Sequence, residues 1–236
     1  MRKIWVISII LSSVAFAQND GLVKSNYPSG ALQTEGNYIN GVRDGLWTFW
    51  YEGEVFEDNG EDGEAKTKDE GEDNGVWDST ETVVLDLDGD TFYDPPQMKM
   101  EGSYSNGDRD GLWTIWYTNG NRQEEANYTN GKLTSTLIRW YENGNKSEEG
   151  TYEIGKQDGF WVWYYKTGIK KEQTQFHDGQ QDGQWLQWYT DGSKKSERKF
   201  TSGERDSLWT SWYENGNKQF QATYASGKLN GPWTSW

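Results

Sequence analysis

Asp110-Gly111-Leu112-Trp113-Thr114-Ile115-Trp116-Tyr117-Thr118-Asn119-Gly120 is the stretch on which the reading of this 236-residue chain turns. Leu112–Tyr117 mixes aromatic and β-favouring residues, and an Asn-Gly pair closes the stretch. Another such pair, Asn106-Gly107, stands just before it. Asn-Gly and Asp-Gly readily supply the positive φ angles that tight hairpins require, so each pair reads as a turn. Beyond Gly120, the charged and polar run Arg122–Tyr128 reads as the next strand. Two strands and two turns repeated along the chain make an antiparallel meander.

The unit does repeat. Aromatic residues at Tyr104, Tyr128, Tyr152, Phe176, Phe200 and Tyr224 follow one another at steps of 24. Counting from each of them, Gly falls at the third position and Asp at the sixth in most copies. Trp falls at the ninth (Trp113, Trp161, Trp185, Trp209, Trp233) and at the twelfth (Trp116, Trp140, Trp188, Trp212, Trp236). Tyr falls at the thirteenth (Tyr117, Tyr141, Tyr165, Tyr189, Tyr213) and a second Gly at the sixteenth. An earlier copy starts at Tyr38, and Tyr27 with Gly30 forms the second half of one before it. In a regular strand the ninth and thirteenth positions share a face and the twelfth takes the other. Aromatic residues should therefore line both faces, with one Trp row partly exposed unless a bulge changes the parity.

Composition agrees with a thin sheet. Apolar residues make up 33% of the chain and aromatic residues 16%, with 15 Trp and 14 Tyr, which is too little aliphatic side chain for a thick core. Of the net charge of −15, all is carried by residues 52–97, which hold 17 acids against two Lys; the remainder has 21 of each sign. No basic stripe of the kind that follows a phosphate backbone is present, which argues against nucleic-acid binding. The chain has no Cys, so neither disulfides nor thiol chemistry is available.

Residues 1–17 read as an export signal. Arg2 and Lys3 precede an apolar run from Ile4 to Phe16, and Ala15-Phe16-Ala17 offers a cleavage site. The run is too short to span a bilayer, and a mature chain starting near Gln18 is expected in the periplasm, on the outer surface or secreted.

The blocks Asp110–Gly120 and Tyr213-Glu214-Asn215-Gly216-Asn217-Lys218 resemble the MORN repeat, in the bacterial variant found in YwqK-type antitoxins. The resemblance covers residues 27–51 and 98–236 and implies an all-β fold: an elongated single-layer antiparallel sheet of β-hairpins. It implies no enzymatic activity, and a role in scaffolding, in protein or lipid contact, or as an antitoxin or immunity-like binder of a toxin. The copy from Tyr128 departs from the pattern, with Thr134, Ser135 and Leu137 where others have Asp, Gly and Trp.

The period breaks once. Tyr51 lies 42 residues further from its next repeat-starting aromatic, Tyr104, than Tyr117 does from Tyr128, so an insertion at residues 53–97 separates N-terminal repeats (18–52) from the main array (98–236). Inside it, Asp86, Asp88, Asp90 and Asp94 fall at positions 1, 3, 5 and 9 of an acidic segment with Gly89 among them. Alternate carboxylates around a Gly suit a hard cation such as Ca²⁺. The segment resembles the calcium loops of EF-hand-like and thrombospondin type 3 modules, but Thr91 and Gln97 stand where an EF-hand has Gly and Glu. It reads equally as a calcium loop or as a solvated acidic loop. Val83, Val84 and Leu85 are candidates for a strand within it.

No catalytic constellation is evident. The lone His177 sits at a variable position beside a turn, and an Asp recurring in most copies has a turn role. The leading expectation is an exported, non-catalytic scaffold binding a protein or surface partner. Its candidate binding face comprises Trp113, Trp116, Tyr117, Trp161, Trp185, Trp188, Tyr189, Trp209, Trp212 and Tyr213. The rival is a glycan- or choline-binding aromatic module, from Trp163-Tyr164-Tyr165 and Trp188–Gly192. The last strand, blunted only by Pro232, is an edge open to self-association or to a continuation of the chain.

Overall fold

The computed structural model describes residues 20–52, 55–57, 82–85 and 97–236. Seventeen strands form one sheet and two more a separate hairpin, and no helix occurs among the described residues. The sheet is antiparallel between neighbours throughout, from Gly21–Asn26 and Leu32–Ile39 to Lys218–Ala225 and Lys228–Ser235, with Lys156–Gln157 and Gly159–Tyr164 pairing along one preceding strand, and Gln180–Gln181 and Gly183–Trp188 along another, as the halves of interrupted strands. The hairpin meander read from the 24-residue period is the observed architecture.

The insertion leaves the sheet continuous. Val42–Trp50 pairs directly with Met98–Ser105, with Trp47 opposite Gly102 and Trp50 opposite Met98. The Tyr51 N–H donates to the Gln97 carbonyl at 2.9 Å, just as Tyr117 N–H donates to Asn121 at 2.8 Å across an ordinary turn. The insertion thus stands in place of one turn. Of it, Val55–Glu57 and Thr82–Leu85 are described, and they pair with each other, so Val83–Leu85 is a strand as anticipated. Asp86, Asp88, Asp90 and Asp94 lie outside the described residues, as do residues 1–17. Replacing residues 52–96 by Thr-Asn-Gly, the turn found at 118–120, should leave the sheet's far-UV circular dichroism intact. Loop shortening should raise stability by no more than about 2 kcal/mol. Loss of the cooperative melt would contradict this placement.

The two ends of the hairpins differ. At one end Asn106 and Gly107 both take positive φ (51° and 90°), the two-residue turn whose twist matches the strands. Each such turn is tied to the previous repeat, Gly131 N–H donating to Arg109 O and Gly155 N–H to Leu133 O. The sixth-position Asp completes the tie: Asp44, Asp158 and Asp182 accept from the backbone N–H of Asn106, Asp178 and Ser202. The following Gly has another use than a hairpin turn. Gly111 sits within a strand at φ 75°, and Gly111-Leu112 pair with the following strand while bulging from the preceding one. Ser135 and Ser207 hold this bulge at φ 59° without Gly, which is how the divergent copy stays in register.

The core is one side chain deep. Trp47, Trp113 and Trp161 are 1–2% exposed, each lying flat on a glycine of the preceding strand: Gly36, Gly102 and Gly150. A Cβ at any of the three would come within 2.2 Å of the indole. The indole N–H then donates to the carbonyl of the residue after that glycine, Asn37, Ser103 or Thr151, at 3.0 Å. Where the upper residue is Leu137, the position beneath is Ala126, both fully buried. Smaller side chain above and larger floor below compensate, because interiors fill to near-constant density.

Candidate binding faces

Adjacent residues of one strand reveal the two faces by their contacts. Trp163 Nε1 donates to Glu148 while Tyr164 Oη donates to Glu149. Trp163 stacks on Trp161, so the ninth and eleventh positions share a face with the repeat-starting aromatics, and the twelfth lies on the other. Neither bulge of a repeat falls between the ninth and twelfth positions on their own strand, so parity is preserved and both faces carry aromatic residues.

On the first face, tryptophans and tyrosines form a row, with Tyr104 edge-on to Trp113 at 4.9 Å and Tyr152 edge-on to Trp161 at 5.1 Å. Guanidinium groups cover the row. Arg43 lies 4.4 Å from the Trp47 ring centre, Arg109 4.3 Å from Trp113, and Arg198 4.7 Å from Trp185. In the middle, Arg139 is clasped between Glu124 and Glu148. Thr174 occupies the floor position beneath Trp185. This is the copy in which the indole N–H, like the Thr174 hydroxyl, is buried without a hydrogen-bond partner among the described residues.

The second face presents Trp50, Trp116, Trp140, Trp188 and Trp212, each half-buried, with Tyr164 in the same place in the copy from Tyr152. Exposed apolar side chains at the bulge stand beside them, among them Leu46, Leu112, Phe160 and Leu208. At the sheet's other margin the thirteenth-position tyrosines staple repeats together. Tyr117 Oη donates to Trp140 O, Tyr165 to Trp188 O and Tyr189 to Trp212 O, each 23 residues on. Tyr51 makes the same bond to Trp116 O across 65 residues, the insertion having moved the number but not the geometry.

The ten aromatic residues singled out in the sequence therefore separate by role. Trp113, Trp161 and Trp209 are buried and hydrogen-bonded, and Trp185 is half-buried. Tyr117, Tyr189 and Tyr213 spend their hydroxyls on carbonyls of the next repeat. Trp116, Trp188 and Trp212 remain accessible on the second face. The guanidinium row on the first face was only partly signalled by the period: Arg43, Arg109 and Arg205 recur at the fifth position, whereas Arg139 and Arg198 stand at the eleventh and twenty-second. Among the described residues no cluster of His, Asp and Glu could hold a metal, and no helix is long and apolar enough to cross a membrane.

One phenol titrates unusually. Burial, and then the Glu149 carboxylate that accepts its hydrogen bond, push Tyr164 from the usual 10 up to about 12. Burial raises Tyr117 and Tyr152 in the same direction. Unfolded tyrosines ionise first, so the stability Tyr164 contributes is whole below pH 10 and lost as pH rises through about 12. The melting temperature should fall across that window, and Tyr164→Phe should blunt the fall. An identical fall in the variant would contradict the assignment.

Residues 19–40, 109–130 and 205–226 match the MORN repeat variant family. All three segments run from the fifth position of one copy to the second of the next; in the second and third that stretch contains bulge, Trp, wide turn and returning strand, and in the first Val23 holds the Trp position. No curated protein matches the chain. Repeats of that family are generally binding or scaffold modules.

Proposed function

We propose that this chain is an exported, non-catalytic scaffold that holds a protein or surface partner on the tryptophan-bearing second face. The observation that carries the reading is a half-buried Trp at the twelfth position of five copies, on a face over which the described residues place no second layer. Partly exposed aromatic side chains give large contact area at low entropic cost, and interfaces are enriched in them. The amino-terminal signal supports export. An antitoxin-like role would use the same face and would show as a toxin among the captured partners. A choline or glycan module is less well supported, because many ring faces are already covered by the chain's own Arg and Lys side chains.

The test compares immobilised residues 18–236 with the variant Trp116→Ser, Trp188→Ser, Trp212→Ser in retaining proteins from a cell-envelope extract. The wild-type chain should retain a defined partner and the variant, at a comparable melting temperature, should not. Equal retention, or none by either, would sink the proposal.

A further inference from the structure

We propose that the opposite, arginine-bearing face is a second binding surface, for an acidic polypeptide segment. Arg43 and Arg109 would grip it at one end and Arg198 and Arg205 at the other. The surface lies across the sheet from the tryptophan row and does not depend on it.

Two kinds of arginine occupy this face. Arg139 has its carboxylates, Glu124 and Glu148. Arg43, Arg109, Arg198 and Arg205 have none within ion-pair distance among the described residues, although each lies flat against aromatic rings. Arg43 gives one N–H to Tyr104 Oη at 3.0 Å, and Arg109 reaches Tyr128 Oη and Met100 Sδ. Arg198 and Arg205 make no side-chain hydrogen bond to a described residue. A guanidinium carries five N–H donors, so most of these remain unspent. Arg198 is half-buried between Trp185 and Trp209, where burial disfavours its charge, and an arriving anion would compensate.

The geometry selects the chemistry of the occupant. Stacking takes up the ring faces, which removes the platform a sugar ring would need and leaves the in-plane N–H edges. Those edges match carboxylates two bonds at a time. Arg43 and Arg109 stand two strands apart, about 10 Å, a distance an extended peptide covers in about three residues. Beside Arg43 a cleft of about 400 Å³, lined also by Tyr38, Trp47, Phe49 and Met100, can admit a side chain. Between the two arginine pairs stand Glu124, Glu148 and Glu172, with Glu172 held by Gln187. A uniformly anionic membrane would meet these carboxylates face on, whereas a peptide with separated acidic groups straddles them.

The test uses the full mature chain and a fluorescently labelled poly-glutamate peptide, followed by polarisation at low and near-physiological salt. The protein's net charge of −15 repels such a peptide, so binding must come from a local surface. Saturable binding is expected, with quenching of tryptophan emission because indoles lie directly beneath the guanidinium groups. Each double variant, Arg43→Gln with Arg109→Gln or Arg198→Gln with Arg205→Gln, should weaken it about ten-fold. The corresponding Arg→Lys pairs keep the charge and the packing but lose the two-bond fork, and should weaken it several-fold. Lys171→Gln with Lys195→Gln, cations at a hairpin end, should change nothing. No saturable binding, equal loss in the lysine control, or preference for phosphatidylglycerol vesicles over the peptide would overturn the proposal. Loss of the envelope partner through the tryptophan variant alone leaves it standing, so the two surfaces fail separately.

Discussion

Gly150→Ala is expected to destabilise the sheet by about 2–3 kcal/mol, a large effect for one methyl group in a strand. In a strand interior Ala is ordinarily no worse than Gly, and relief of backbone entropy would favour it. Here the new Cβ would lie 2.2 Å from Trp161 Cδ2, and the indole cannot yield freely. Its N–H is bonded to Thr151 O and its faces are packed by Tyr152, Trp163 and Phe176. The same molecule shows the remedy, since Ala126 lies beneath Leu137 without strain. Trp161→Leu alone should also destabilise, by leaving a cavity. The double variant Gly150→Ala with Trp161→Leu should then recover at least about 1 kcal/mol relative to the sum of the two single changes. Additive losses in urea denaturation would mean that the glycine is not a floor for the ring.

Trp161→Ala should cost about 3–5 kcal/mol, as a fully buried Trp does, whereas Trp233→Ala should cost less than about 1 kcal/mol. The two residues hold the same position of the repeat. Trp161 is 1% exposed and flanked by strands on both sides, while Trp233 is 58% exposed on the last described strand. Repeat architectures owe stability to interfaces between neighbours, so an interior copy loses more than a terminal one. Trp185, also interior, should fall between them because it is half-buried and its indole N–H is already unpartnered. Equal melting shifts for Trp161→Ala and Trp233→Ala would contradict a continuous sheet.

The period and the strand pairs were legible because each rests on residues that recur at a fixed spacing: Asn106-Gly107, Trp113, Tyr117. The glycine floor was not legible. Three of its positions are Gly, but the equivalents are Ala126, Thr174, Arg198 and Ala222, so the constraint is a complementary pair and no single residue type displays it. The Asp-Gly pair misled in part for a related reason. Positive φ is demanded equally by a turn and by a bulge, and only the register separates Gly107 in the one from Gly111 in the other. The accessible row Trp116, Trp188 and Trp212 followed from strand parity, which two compensated bulges left undisturbed. Of the arginine row, Arg43, Arg109 and Arg205 share the fifth position of the repeat, but Arg139 and Arg198 join it from other positions by side-chain stacking and ion pairing across strands, which spacing along one strand does not encode.

The most direct test of an open, single-layer repeat sheet is the distance between exposed eighth-position residues. The chain lacks Cys, so single cysteines can be placed without background in pairs. Spin labels at Leu112 and, in turn, Thr136, Phe160, Gln184 and Leu208 would be read by double electron–electron resonance. Every one of these positions is exposed, and two strands separate each from the next. The separation should grow with every repeat added, by about 10 Å each time. A separation that stops growing or shrinks toward Leu208, as in a closed barrel or two packed layers, would contradict the open sheet.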